Sequence, residues 1–289
     1  MVRATTWADA LAAKAASREL VPIAGGTDVM VDINFDRRRP AGLLDLTAVA
    51  ELSTWSVEGD TVRLGAGVTY AQAVADLAGL LPGLAMASRT VGSPQIRNRG
   101  TIGGNLGSAS PAGDAHPPLL AASAVVEAES VRGSRLIPIA DYFTGPRRSA
   151  LEPDELIRAV LVPCASGPEQ FSKIGTRNAM VIAVASFGLR LDSTRRRVGT
   201  GIGSAGPTPR SATEAEGLLS GALESAGAWE SREPIEPGVV HRFGELVAAA
   251  AAPIDDVRGS AAYRRHALEV MARRTLTWAW DQYRDRGAA

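Results

Sequence analysis

Two glycine pairs constrain this chain more than any other feature. The first, Gly25-Gly26, lies in Val21-Pro22-Ile23-Ala24-Gly25-Gly26-Thr27-Asp28. The second, Gly103-Gly104, lies in Gly100-Thr101-Ile102-Gly103-Gly104-Asn105-Leu106-Gly107. Each follows a short apolar stretch and precedes a small polar residue. Glycine lacks a Cβ, so it takes positive φ readily and lets backbone approach a ligand closely. Successive N–H groups in such a turn form a concavity for anions. Two of them can grip one diphosphate from both sides, which points to a nucleotide cofactor held mainly by backbone. With Gly107 close behind, the second segment is expected to hold several special-φ positions at once.

Composition removes other classes. Lys plus Arg equals Asp plus Glu, at 31 each, which argues against a nucleic-acid binder. One cysteine, Cys164, excludes an internal disulfide. It also excludes an iron–sulfur cluster of the chain's own, which takes about four thiolates. His116, His241 and His266 are scattered, without a His-Glu-x-x-His spacing, and no metal site is expected. No apolar run reaches the ~20 residues of a membrane span. The first residues carry no signal-peptide core, so the expected location is the cytoplasm.

Hydrophobic periodicity predicts a helix over Thr6 to Leu20, with Thr6 or Asp9 serving its first turn. A strand, Val21 to Ala24, enters the first glycine turn, and Gly42 to Leu46 reads as another. Hairpins are expected at Thr54 to Leu64, around Glu58-Gly59-Asp60, and at Ala122 to Ile139, around Arg132-Gly133. A helix over Tyr70 to Leu80 is expected to close at Pro82-Gly83. Asp154 to Val162 is a strand, and Pro163 to Pro168 is a boundary candidate. Beyond it, Phe187 to Leu191 pairs with Arg197 to Ile202. Helices follow at Ala212 to Leu219, Phe243 to Ala250 and Ser260 to Tyr283. The mixture lacks regular βαβ alternation, so the fold class is α+β.

The triplet Gly201-x-Gly203-x-x-Gly206 fits a dinucleotide fingerprint by spacing alone. That fingerprint opens a helix just after its turn, whereas Pro207 and Pro209 follow here at once. The expected structure is a strand running into a proline turn. Asp114, after Ser110-Pro111-Ala112-Gly113, reads either as a solvated loop carboxylate or as an acceptor for sugar hydroxyls. Lys173, in Phe171-Ser172-Lys173-Ile174-Gly175, reads from its surroundings as a solvated strand lysine. The basic set Arg258, Arg264, Arg265, Arg273 and Arg274 is expected as a solvated face of the last helix, with a subunit interface as the alternative.

Five ordered segments resemble one family. Ala24-Gly25-Gly26-Thr27-Asp28 and Thr101-Ile102-Gly103-Gly104-Asn105 look like the two diphosphate loops of the FAD-binding medium subunit of molybdenum hydroxylases, the carbon monoxide dehydrogenase and xanthine dehydrogenase family. Ser108 to Asp114 resembles its ribityl-binding loop, Gly201 to Arg210 a strand and turn of its C-terminal domain, and Asp256 to His266 the start of its last helix. The resemblance implies a two-lobed FAD-binding domain of the vanillyl-alcohol-oxidase-like type. Its small lobe covers residues 1–54 and its large lobe 55–165, followed by a C-terminal domain over 168–286 with a small antiparallel sheet and helices. It implies an electron-transfer oxidoreductase subunit whose FAD is bound non-covalently. The implied cofactor residues are Ala24, Gly25, Gly26, Thr27, Asp28, Thr101, Gly103, Gly104, Asn105, Ser110, Asp114, Ile157 and Lys173, with no catalytic acid or base. Molybdopterin and 2Fe–2S clusters belong, by resemblance, to a large and a small partner subunit in a dimer of heterotrimers. A free-standing flavoprotein oxidase and a non-catalytic protein of the same fold are the alternatives. Val181 replaces an acid usual in the family, and Ile182 stands where some relatives place a Tyr against the flavin ring.

Overall fold

The computed structural model describes residues 1–285; residue 286, the expected end of the C-terminal domain, lies outside the described residues. The chain begins with a three-stranded parallel sheet of β1 (Val2–Arg3), β2 (Val21–Ile23) and β3 (Leu43–Asp45), in the order β1-β3-β2. The crossover from β1 to β2 is the helix Trp7–Ala16. It starts where Thr6 and Asp9, the two candidates for its first turn, both serve it in a reciprocal capping box. Its buried face, Trp7, Ala10 and Leu11, packs toward Leu44 of the central strand.

The next strands are β4 (Trp55–Glu58), β5 (Thr61–Gly65), β6 (Val125–Ser130) and β7 (Gly133–Pro138). A two-stranded hairpin, β8 (Phe143–Gly145) and β9 (Arg148–Ser149), precedes β10 (Leu156–Pro163). The antiparallel sheet runs β4-β5-β10-β6-β7. Both expected hairpins are present, their turns set by positive-φ Gly59 and Gly133. The predicted helix after Thr69 ends at Asp76, and Pro82 opens a second helix, Pro82–Arg89, instead of closing the first. Proline suits that first position, where its missing N–H has no intrahelical partner to lose. The parallel and antiparallel sheets share one continuous apolar core from Ala4 to Val162.

A second core belongs to β11 (Glu169–Ile174), β12 (Ala185–Asp192) and β13 (Arg197–Gly203), an antiparallel sheet in that order, and to the helices Thr213–Ser225, Pro237–Ala250 and Ala261–Asp285. Every residue of β12 is buried, because helices cover both faces of this sheet. One covering helix, His116–Ala121, comes from the first core. A Cβ at Gly199 or Gly201 would lie 2.0 or 2.1 Å from the carbonyl oxygens of Ala121 and Pro117. The glycines of β13 therefore form the floor of a groove in which a helix lies backbone to backbone. The connecting segment is fixed on both sides. Buried Arg190 donates to the carbonyls of Pro163 (2.8 Å) and Cys164 (2.7 Å). The amides of Cys164 and Ala165 donate to Asp60 O and Leu80 O.

Two expectations about the basic set are corrected. Arg258 sits in the turn before the last helix, which begins at Ala261. Arg264 is 3% exposed rather than solvated, because Asp256 and the Ser204 carbonyl receive its guanidinium.

Candidate functional site

A cleft of about 710 Å³ separates the parallel sheet from the antiparallel sheet. That volume lies within the range of small-molecule and cofactor sites, ~300–1,000 Å³. Ala24, Gly25, Gly26, Thr27 and Asp28 form one wall, leaving β2 and entering the helix Val29–Asn34. Gly26 has φ +75°, a conformation that excludes most side chains. Gly25 is required by proximity: a Cβ there would lie 1.9 Å from the Arg99 carbonyl oxygen. The first glycine turn thus touches the chain leading into the second. None of the backbone amides from Ala24 through Asp28 donates to an acceptor among the described residues. Ser108 Oγ donates to Asp28 Oδ2 at 2.8 Å, tying the two walls together.

Thr101, Gly103, Gly104 and Asn105 line the opposite wall. The expectation of several positive-φ residues in this segment is incorrect. Residues Ile102–Ser108 form a helix, Thr101 is its N-cap, and the first residue here with positive φ is Ala109. Its first-turn amides are already engaged: Ile102 with Val68 O, Gly103 with Ala66 O, Gly104 with Thr101 Oγ1 and Asn105 with Thr101 O. Gly103 is needed because its Cβ would lie 2.5 Å from both Cβ and O of Ala66. What this wall turns toward the cleft is the positive end of the helix dipole; the Oδ1 of Asn105 is buried without a partner.

Ser110, Asp114 and Lys173 do not line this cleft; they gather beside it. Ser110 Oγ accepts from Ala112 N–H and shapes the turn. Neither solvated reading holds for the other two. Asp114 is 8% exposed, and Lys173 Nζ donates to its Oδ2 at 2.6 Å and to Thr90 O at 3.2 Å. Burial pushes the Asp114 carboxyl up to about 6 despite the Lys173 ammonium, and its Oδ1 is buried and unpartnered. His116, fully buried, is depressed to about 4 by desolvation and stays neutral, with Nε2 3.3 Å from Asn105 O. A Cβ at Gly113 would overlap the His116 ring. Tyr70 joins the two groups of residues. It lines the cleft, and its hydroxyl is raised well above the usual phenol range by burial, then by the carboxylates of Asp114 and Asp28.

Ile157 lines the cleft at a bulge, where the pairing of β10 with β6 slips between Ile157 and Ala159. The Arg158 carbonyl accepts from Ala66 N–H, extending the β10–β5 pairing by one residue beside Gly103. A strap went unpredicted: Arg147, at the tip of the β8–β9 hairpin, donates to Asp32 across the cleft at 3.1 Å. The Gly145-Pro146 dipeptide was the available signal for that turn. The Gly201 triplet runs from strand into a proline turn, with no helix before Thr213, as expected. Val181 packs over Gly175, and Ile182 is 59% exposed. Among the described residues there is no cluster of three or more His, Cys, Asp or Glu able to hold a metal, and no helix long and apolar enough to cross a membrane.

Residues 1–165 match the family model of the FAD binding domain in molybdopterin dehydrogenase, and residues 170–279 that of the CO dehydrogenase flavoprotein C-terminal domain. The chain belongs to this family. It is an FAD-binding medium subunit of the molybdenum hydroxylase type, an oxidoreductase subunit in an electron-transfer role. It is similar to the nicotinate dehydrogenase FAD-subunit of Eubacterium barkeri, 36% identical over 224 residues, covering 74% of this chain and 76% of the relative. The nicotine 6-hydroxylase medium subunit of Paenarthrobacter nicotinovorans is 31% identical over 89% of this chain and 88% of its own length. Among solved structures, reconstituted CO dehydrogenase from Oligotropha carboxidovorans superposes with a TM-score of 0.89 at 27% identity, over 97% of this chain and 96% of that one. The donor and acceptor set fits FAD: uncommitted amides suit a diphosphate, and the orphaned carboxylate oxygen of Asp114 suits sugar hydroxyls.

Proposed function

We propose that the medium subunit holds FAD chiefly through the first glycine turn. The amides of Ala24, Gly25, Gly26, Thr27 and Asp28 receive the diphosphate, and Thr101, Gly103, Gly104 and Asn105 close the opposite wall. Ser110 and Asp114 take ribityl hydroxyls, the Ile157 backbone borders the flavin, and Lys173 holds Asp114 ionised beside it. The observation that carries this reading is the run of uncommitted amides in residues that line the cleft. Hydrogen bonds to a charged acceptor contribute roughly 1.5–3 kcal/mol each, so a few of them account for tight, non-covalent retention. Bound there, FAD supplies the chemistry that links one-electron donors to an external acceptor. The protein's part is to bind, orient and shield it.

The partners follow from what the chain lacks and from what its relatives are called. A single cysteine leaves cluster ligation to another chain, and one relative is named as the medium chain of carbon monoxide dehydrogenase. We place the subunit in a cytoplasmic dimer of heterotrimers with a large molybdenum-cofactor subunit and a small 2Fe–2S subunit. Purification of the tagged chain from its native cells should yield a complex containing Mo, Fe and one FAD per copy. Acid or heat should release all flavin through a filter. A metal-free monomer that reduces its flavin with an organic substrate would overturn this assembly in favour of a free-standing oxidase.

A further inference from the structure

The C-terminal domain grips the Ser110–Asp114 loop at two points. Lys173, on β11, takes Asp114. Ser204, just beyond β13, donates its N–H to the Pro111 carbonyl at 2.9 Å. Ser204 has φ +59°, a left-handed conformation that a serine holds only where its surroundings over-determine it. Arg264 does so. Its Nη1 donates to Ser204 O and its Nη2 to Asp256 Oδ1, each at 2.5 Å. Asp256 is itself fixed by the backbone N–H and guanidinium of Arg258. Neither Arg264 nor Ser204 lines the cleft, so any influence on a bound cofactor runs through the loop.

We propose that Arg264 is a positioning residue. By holding the Ser204 peptide in its left-handed turn, it aims that N–H at Pro111 and fixes the Ser110–Asp114 loop in its cofactor-binding shape. This rests on the assignment of Ser110 and Asp114 to the FAD site. Its consequence is that the C-terminal domain sets flavin retention from a residue outside the cleft. The Asp256 to His266 segment, familiar from the sequence only as the start of a helix, becomes part of the cofactor site's support.

The test uses the full chain loaded with FAD. Arg264→Met keeps the bulk and removes both donors, leaving the Ser204 carbonyl and Asp256 without their buried partner. FAD release, followed by flavin fluorescence after dilution, should accelerate about tenfold. Backbone hydrogen exchange at residues 110–114 of the FAD-free chain should accelerate with it. Asp256→Asn, the milder change, should fall between wild type and Arg264→Met, and it decides the matter should Arg264→Met not fold. Trp280→Phe is the control for general weakening. It removes a hydrogen bond to Glu233 O elsewhere in the same domain, and it should lower the melting temperature with no effect on release or loop exchange. Release at the wild-type rate in both Arg264→Met and Asp256→Asn, or equal acceleration in Trp280→Phe, overturns the positioning role. Asp114→Asn separates the two readings. Faster release in that variant with none in Arg264→Met removes the positioning role alone, whereas no change in Asp114→Asn removes the assignment of the loop itself.

Discussion

The two glycine pairs look interchangeable in sequence and are built for different purposes. Ala24–Asp28 is an open turn with Gly26 at φ +75° and no amide committed to the protein. Thr101–Asn105 is the first turn of a helix, and each of its leading amides is already satisfied. The residue in front decides which. Thr101 places a hydroxyl where it caps a helix, and Gly103 then serves to let that helix lie against Ala66. Ala24 offers no cap, so the backbone after it stays open toward the cleft. A glycine pair announces that a Cβ is unwelcome; whether ligand or protein occupies that space depends on its neighbours.

The sharpest way to break this contrast is at Gly25. In Gly25→Val the new Cβ meets the Arg99 carbonyl, 1.9 Å away, and no rotamer relieves a backbone clash. The walls must part, so we expect loss of FAD together with destabilisation of about 3 kcal/mol or more. Flavin absorbance per mole and the melting temperature report both. Gly26→Val is milder. Its Cβ finds space, with Met30 Cγ at 3.4 Å, but φ +75° costs a β-branched residue ~1–3 kcal/mol. The chain should fold without FAD. Full flavin occupancy in Gly26→Val would show that the first turn is not the anchor.

A third pair of groups extends the comparison to pH. The folded Asp114 is raised from 3.8 to about 6, so the folded state binds more protons there, and this group lowers stability as pH climbs from about 4 to 6. The folded His116 is lowered from 6.5 to about 4, so the unfolded state binds more protons there, and this group raises stability over nearly the same window. Buried side by side, the two slopes oppose each other. The wild-type chain should therefore show little net contribution from them between pH 4 and 6.5. Asp114→Asn should leave stability rising with pH, and His116→Gln should leave it falling, at up to ~1.4 kcal/mol per pH unit. Denaturant midpoints across that range measure the slopes; slopes of the same sign in both variants would show that the groups do not offset each other.

What the sequence made legible was local. The hairpins at Gly59 and Gly133, the capping box at Thr6 and the proline turn after Gly203 each declare themselves within a few residues. The helix Ile102–Ser108 did not, because three glycines oppose helix propensity and only Thr101 argued for it. The site's long-range links were hidden for another reason. Lys173 meets Asp114 across 59 residues, Ser108 meets Asp28 across 80, and Arg264 reaches back 60 to Ser204. No periodicity records which charge ends up buried against which partner. Family resemblance named Asp114 and Lys173 without showing that they pair. Spacing alone presented Gly201 and Gly203 as part of a fingerprint to be rejected, when their role is to receive the helix His116–Ala121.

The smallest expected effect is the most discriminating. Gly104 is exposed within a helix, and its amide already donates to Thr101 Oγ1 at 2.9 Å. In Gly104→Ala the new Cβ meets only that hydroxyl, at 2.8 Å, so the cap must give slightly. Against this, alanine in a helix gains roughly 0.5–1 kcal/mol over glycine. The two terms nearly cancel, and FAD should stay bound with stability within about 1 kcal/mol of wild type. Gly26→Ala, one methyl added at φ +75°, should lose both affinity and stability. Titration of the FAD-free chains with FAD, alongside their melting temperatures, compares the same chemical change in the two segments. An equal loss of affinity in both would mean that the second wall also anchors the cofactor by backbone, and that the helix Ile102–Ser108 opens its first turn to receive it.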